Sequence, residues 1–584
     1  MKQSVRIHSK RTEMNKLFLI IHTIRHLRPI QIRYQLWYRL RKMWRKASRF
    51  TYPLSIKREG TPLKLISWIE KPVSLLNNRF TFLNLSKRSA FDTINWNETE
   101  HGKLWAYNLN YMDYLLQPGM DTETGLQLIE SFIQNLHQNS EGLDPYPIAL
   151  RGINWIKFLS RTSLQGGETT TRQSPQINAS DSSMPGHCED DEGGRSNLIR
   201  LNGCLYAQYL ILLDNLEYHL MGNHLLEDAF SLLFGAWYFK EKRFWAKAKR
   251  LLIQELKEQV LSDGAHFELS PMYHQILLDR LLDCINLMQN NTCFDGQDKL
   301  LALLRHKAEQ MLAWLNTITL SDGRTPLLND SAPGIAPTTA QLNEYATRLN
   351  VGALSKTTND SIRTTDHYSL TTSGYRRFDG KNYECILDIG PVGPSYQPGH
   401  AHADTFNFIL NINHQPFLID TGISTYDSND TRLKERGTAA HNTVTVNKHN
   451  SSKVWSSFRV AQRANVEIIK EEKNEVTAAH DGFKSFGISH QRSWLFNAQT
   501  ISIEDVLTGR QTKGTAYFHF SPDLNPTKTN NEVLINDSRL SFEGAETISL
   551  IKAQLPDGYN RLVNYYKLEI VFQNKLTTII ETKE

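Results

Sequence analysis

The hydrophobic period changes once along this chain, and that change constrains the fold more than any other feature. From about residue 365 the period is two. "YECILDIG", "FNFILNI", "PFLIDTG" and "NTVTVN" alternate as strands do, and so do "TISIEDVL", "TAYFHFS", "RLSFEG" and "KLEIVFQ". Gly, Asn and Asp turns between many short strands imply an antiparallel sandwich. Before that point apolar residues recur at three and four. "NLNYMDYLLQ", "NWIKFLSR", "HLLEDAFSLLFGAWYF", "LLDRLLDCINLM" and "LLALLRHKAEQMLAWLNTI" place helices over 100–160 and 200–350. "DPYP" and "SDGRTP" punctuate them. The expected order is a basic helical segment over 1–60, a helical domain over 61–355 and a β-sandwich over 365–584. Residues 163–197 are polar and almost free of large apolar side chains, and are expected to be a disordered insertion. His187, Cys188, Glu189 and Asp190 within it read as a solvated loop rather than a metal site.

A chain of 584 residues, 40% hydrophobic, can bury a large core in two or more domains. Five cysteines without CxxC spacing argue against a disulfide framework or a zinc ribbon. The net charge of +5 is unevenly placed: residues 2–58 hold sixteen Lys/Arg against one acid, Glu13. The remainder is net acidic, which excludes a generally basic nucleic-acid binder. "KLFLIIHTIRHLRPIQIRYQLWYRLRKMWRK" has an apolar core too short to span a bilayer and no small-residue cleavage site. Two readings stand: a basic, Trp-bearing helix on an anionic membrane, or a helix packed on the body with its arginines in solvent. The expected location is cytoplasmic or membrane-peripheral.

Four polar clusters could carry chemistry. "GNHLLED" offers Asn223 and His224 at a helix start. "DGAHFELSPMYHQ" offers His266, Glu268, Tyr273 and His274. "GHAHADTFNF" places His400 and His402 one residue apart, with Asp404 beyond. "IDTGISTYDSNDTRLKERGTAAHNTVTV" offers Asp420, Tyr426, Arg436, His441 and Asn442. Asp420 ends an apolar strand and His441 begins one, so both can converge with His402. Two imidazoles and a carboxylate suit zinc with an open water position, or a structural metal. The plain alternative is that each side chain caps a loop or meets a carbonyl. No HExxH or P-loop occurs.

"GPSYQPGHAHADTFNF", "LIDTGISTYD", "RGTAAHNTVTV" and "VWSSFRV" resemble the C-terminal half of the heparinase II/III family of polysaccharide lyases. "NLNYMDYL", "PYPIALRGINW", "GNHLLEDAFSLLFGAWYF", "DGAHFELSPMYHQ" and "RTPLLNDSAPGIAP" resemble its helical half. The resemblance covers roughly residues 100–465, and the basic N-terminus is similar to members associated with exopolysaccharide synthesis. It implies an incomplete α/α toroid followed by an antiparallel β-sandwich, with the active site in the cleft between them. It implies β-elimination at a uronic-acid residue of an acidic polysaccharide, heparin-like or a bacterial exopolysaccharide, and it allows a periplasmic location. By motif position it gives Asn223 the substrate carboxylate and Tyr273 and His400 the proton transfers. His402, Asp420 and His441 become ligands of one structural divalent metal, zinc by ligand type, with Asp404 in a supporting place. His224, His266, Glu268, Arg436 and Asn442 remain possible substrate contacts.

The chemistry suits these residue types. A uronate C5 proton is weakly acidic because its neighbour is an anionic carboxylate, and two amide N–H donors from Asn223 would stabilise the enolate-like state. A tyrosine serves as base where a cation lowers its pKa, and as acid toward the leaving oxygen. Without the resemblance, Asn223 reads as a helix N-cap and Tyr273 as a core aromatic. A glycoside hydrolase on a similar scaffold would need a paired carboxylate acid and base. A non-catalytic polysaccharide-binding or assembly protein would keep the fold without needing Tyr273.

Overall fold

The computed structural model describes residues 18–168, 190–352 and 366–582. The chain forms two compact units: Ile30–Leu256 with Arg280–His306, and Met1–Pro29 with Lys257–Asp279 and Lys307–Glu584. The expected order of a helical toroid-type part followed by an antiparallel sandwich holds. The expected helical domain, however, does not end at one boundary: 257–279 and 307–352 fold with the sandwich. The reason is tertiary. The Tyr375 hydroxyl donates to the Leu269 carbonyl at 2.6 Å, and the Ser270 hydroxyl donates to the Asp330 carbonyl at 2.7 Å. The insertion expected over 163–197 falls mainly on 169–189, outside the described residues. Its ends, 163–168 and 190–197, are helical backbone.

The helical unit contains α1 (Pro29–Ala47, from Ile30), α2 (Lys103–Tyr111), α3 (Thr122–Asn135), α4 (Pro145–Glu168), α5 (Asp190–Asp214) and α6 (Gly222–Phe239). Helix α6 is buried on every side except at His224, as a helix apolar all round must be. It approaches α4 and α5 closely because glycine faces tyrosine. A Cβ at Gly152 or Gly235 would stand within 3 Å of the Tyr209 ring or hydroxyl. A small sheet that periodicity did not show, β1 (Leu75–Leu76), β2 (Arg79–Phe82) and β3 (Leu85–Arg88), belongs to this unit. Gln117 pins its first strand through Ser74, Leu75 and the Leu75 carbonyl.

The other unit is a sandwich of two antiparallel sheets. One runs β4 (Asp366–Leu370), β5 (Tyr375–Asp379), β6 (Tyr383–Asp388), β7 (Phe408–Ile412) and β8 (Gln415–Leu418), in that order. The other has ten strands and is dominated by a hairpin of two long strands, Ser538–Pro556 and Leu562–Glu581. Burial alternates along Ile488–Phe496 and Thr500–Gly509, which sends Trp494, Phe496, Ile501 and Ile503 inward. Phe378 of β5 meets Phe496 ring to ring at 4.0 Å, closing the core between the sheets.

Candidate active site

Tyr273 is positioned by a short, strained approach. Gly264 has φ +94, and a Cβ there would run into the Gln310 carbonyl, so only glycine fits the turn. Leu269 has φ 59, an unfavourable left-handed conformation for this residue, held by Tyr375 and Asn329 bonds to its carbonyl. Ser270 then accepts from the Tyr273 N–H at 3.3 Å, and Pro271 opens the helix Pro271–Asn290. Tyr273 therefore stands in a first helical turn. Its ring lies 3.9 Å from the His400 ring, and its hydroxyl is 3.0 Å from that of Tyr426.

His400 is fixed from the other side by Asp330. The Asp330 carboxylate accepts from His400 Nδ1 at 2.8 Å and from His402 Nε2 at 2.8 Å, and it pairs with Arg432 at 2.6 Å. Backbone bonds repeat the clamp: Asp330 N–H donates to the His400 carbonyl, and His402 N–H donates to Asn329 Oδ1. Burial pushes the Asp330 carboxyl up, but Arg432 and the two imidazole bonds outweigh it and hold it well below the usual range. As a carboxylate it accepts from Nδ1–H, which turns His400 Nε2 toward Glu268 Oε2, 3.6 Å away. Burial, followed by the nearby Tyr559, Asp330 and Glu268, drives the Tyr273 hydroxyl well above its ordinary pKa, against the Tyr426 bond. This corrects the expectation of a cation-lowered tyrosine: among the described residues the guanidinium that lies against Tyr426, that of Arg432, is committed to Asp330.

Beyond His402 the side chains leave three buried polar atoms without a hydrogen-bond partner among the described residues: His402 Nδ1, Asp404 Oδ2 and His441 Nε2. One ligand atom from each of these residues lies within 4.8 Å of the others. Their outer atoms are already engaged. His402 Nε2 is on Asp330, and His441 Nδ1 is 2.9 Å from Asp420, which also accepts from Asn407 and the Gly422 N–H. The structure therefore groups Asp404, not Asp420, with the two imidazoles, and sets Asp420 behind His441. Burial pushes Asp404 up to about 6, with His441 opposing and Asp420 adding to the rise, and burial pushes Asp388 well up beside it. Such a concentration of buried carboxylate is what a bound cation relieves. Two imidazoles and a carboxylate, each imidazole backed by a second carboxylate, have the chemistry of a divalent metal site.

Several expected contacts are used inside the protein. Arg436 donates to the carbonyls of Ala401, Ser456 and Ser457. Asn442 donates to the Phe408 and Ile419 carbonyls and accepts from His519 N–H. Both are fully buried and engaged by backbone groups, Arg436 on the segment that bears His400 and Asn442 on Phe408, Ile419 and His519. His266 bonds Gln259, and His274 accepts from His266 N–H while its Nε2 meets the Met311 carbonyl. Burial lowers them to about 4 and about 3, so both are neutral framework groups. Asn223 and His224 belong to the helical unit. Met221, with positive φ, precedes α6 without a side-chain cap, so Asn223 stands inside the first turn and is not its N-cap. His224 is 3.0 Å from Glu217 and its ring is 4.7 Å from that of Tyr146. Sequence reasoning gave no role to Asp330 or Arg432; "LLND" followed by a proline-broken loop was the available signal.

The family description "Heparinase II/III N-terminus" matches residues 202–351, and "Heparinase II/III-like, C-terminal" matches 362–570. A heparin-sulfate lyase of Pedobacter heparinus is 24% identical over 343 residues, covering 54% of this chain and 49% of that protein. The chain thus spans about half the length of the curated relatives it matches. Among solved structures, Heparinase III aligns with a TM-score of 0.62 at 16% identity, over 84% of this chain and 79% of that one. A heparan sulfate lyase HepC mutant from Pedobacter heparinus aligns at 0.54 and 18%, over 86% and 81%. These structural likenesses show the fold.

Proposed function

The chain belongs to the heparinase II/III family, and from that premise we propose that it is a polysaccharide lyase that cleaves a uronic-acid-containing polysaccharide by β-elimination. The observation that carries the reading is the His400–Tyr273 pair: an imidazole clamped by Asp330, its ring 3.9 Å from that of a tyrosine that burial keeps protonated. In the proposed reaction His400 Nε2 takes the C5 proton, and the electron pair forms the C4–C5 double bond. The C4–O4 bond breaks, and the Tyr273 hydroxyl gives its proton to the departing oxygen, with Tyr426 3.0 Å away to restore it. Asn223 carries the role that the resemblance gives it, donation to the substrate carboxylate, and is tested by its own variant. The substrate is an acidic polymer, heparin-like or a bacterial exopolysaccharide.

A divalent ion, zinc by donor type, would be held by His402, Asp404 and His441, with Asp420 and Asp330 as outer partners. It would supply a fixed positive charge that locks His402, and through Asp330 the orientation of His400. The test is a screen of uronate polysaccharides for near-ultraviolet absorbance of the unsaturated product, with reducing ends counted in parallel. Absorbance and ends rising together support elimination. New ends without absorbance would mean hydrolysis, and binding without either would mean a non-catalytic protein.

A further inference from the structure

Helix α1 packs on the helical unit by one face only. Gln31 donates to the Leu220 carbonyl and Tyr38 to the Leu216 carbonyl, and Tyr34 stacks on Tyr218 at 4.6 Å. Arg41 and Arg45 both pair with Asp214. At ~100° per residue, the opposite side is apolar over an arc of roughly 120°, interrupted near its N-terminal end by the exposed Arg33. Leu36, Trp37, Leu40, Met43 and Trp44 lie on it, each more than half exposed, Met43 the most at 68%. So many large apolar side chains on one exposed helical face mark an interaction surface. The occupant is indicated by charge. Residues 29–49 contain seven Lys/Arg and no acid. Only Arg41 and Arg45 of these have an ion pair among the described residues. Arg39, Lys42 and Lys46 line one border of the apolar arc, and all three are exposed. Trp37 and Trp44 take the other border, the position in which an indole keeps its N–H at the level of lipid headgroups. Beside this face lies a groove of about 520 Å³, lined by Trp37, Trp44, Arg41, Asp214, Tyr218 and Lys247 among others. Among the described residues no helix is long and apolar enough to cross a membrane, so contact through α1 would be lateral.

We infer that the outer face of α1 docks on an anionic lipid bilayer, with Leu36, Leu40 and Met43 in the acyl boundary and the unpaired cations against lipid phosphates. The inference is independent of the proposed lyase activity. The full chain is sedimented with phosphatidylcholine vesicles containing phosphatidylglycerol and with phosphatidylcholine alone. Binding to the anionic vesicles is expected, with release by salt. Arg39→Glu, Lys42→Glu and Lys46→Glu should each weaken partitioning about fivefold or more. The double variant Leu36→Glu/Leu40→Glu should weaken it by at least about tenfold. These side chains face solvent, so melting curves should stay put. Brominated lipid placed in the anionic vesicles should quench the parent protein, and quenching should fall sharply in Trp37→Phe/Trp44→Phe, which serves even if the glutamate variant folds poorly. No sedimentation with anionic vesicles at low salt, or sedimentation unchanged by these substitutions, would overturn the inference. So would lipid-free self-association that Leu36→Glu/Leu40→Glu disperses, because a second copy would then cover the face.

Discussion

Tyr273→Phe separates the chemistry from the architecture. The substitution removes one hydroxyl and keeps the ring that lies 3.9 Å from His400. In the folded protein it deletes a single neutral hydrogen bond, the 3.0 Å contact with Tyr426. Tyr426 retains its bond with Tyr559, so no buried hydroxyl is stranded. The stability cost is therefore about 1 kcal/mol, a shift of roughly 2 °C or less in a unit of this size. The activity cost is larger, because the hydroxyl proton is needed only as the glycosidic oxygen departs. The expected fall in kcat is about 10²-fold or more, about 2.7 kcal/mol, with KM little changed. The assay is single-turnover elimination on the polymer that the absorbance screen identifies, beside melting curves for the variant and its parent. A Tyr273→Phe protein that eliminates at the parent rate would remove the tyrosine from the mechanism and leave His400 to act with water alone. A matched loss of stability and rate would equally defeat the reasoning, since it would mean that the hydroxyl serves packing.

Asp330→Asn should lower stability by about 3–5 kcal/mol, because it leaves the fully buried Arg432 without its counter-charge; a melting temperature within a degree of the parent would contradict the clamp. Asp404→Asn should abolish binding of the divalent ion while Asp420→Asn weakens it about 10–100-fold, as read by elemental analysis and competition with a chelator; the reverse order would restore Asp420 as the ligand. The acid limb of stability should depend on Asp505. Burial raises its carboxyl, but Arg492 and His490 outweigh it and bring it to about 2. A folded pKa below the unfolded one adds stability that is complete above about pH 4 and disappears as pH falls through about 2, worth about 2 kcal/mol. Urea melts between those pH values should show Asp505→Asn with a flatter decline and lower stability at neutral pH; parallel curves would rule the group out.

The periodicity of the chain was enough to separate helix from sandwich, since α6 is buried all round and the strands over 488–509 alternate. What periodicity could not show was which unit a helical stretch joins. Residues 257–279 look like any turn between helices, yet Ser270 and Leu269 bond to Asp330 and Tyr375. Those bonds depend on approaches across 60 and 106 residues, for which no local pattern exists. The same limit governed the polar side chains. Arg436 and Asn442 have the residue types of substrate contacts, but a guanidinium or an amide serves a backbone carbonyl as readily as a ligand. Only the folded path of 400–408 decides between them.

The two carboxylates near His441 show how far residue type and order can go. Asp404 and Asp420 are chemically the same, and each comes within reach of the imidazole. What distinguishes them is the nitrogen each one faces. Asp420 takes Nδ1 and also satisfies Asn407 and Gly422, so its oxygens are occupied. Asp404 leaves Oδ2 without a partner beside Nε2 and His402 Nδ1. Leaving three buried polar atoms unpaired costs about 1–3 kcal/mol each, a penalty a fold accepts where a ligand repays it. Asp330 joins the two halves of the site on the same logic. One carboxylate orients the histidine assigned to chemistry and the histidine assigned to metal, so displacement of either is transmitted to the other through a single buried side chain. If the proposed ion is held there, its removal should slow the proposed turnover without the ion meeting the sugar.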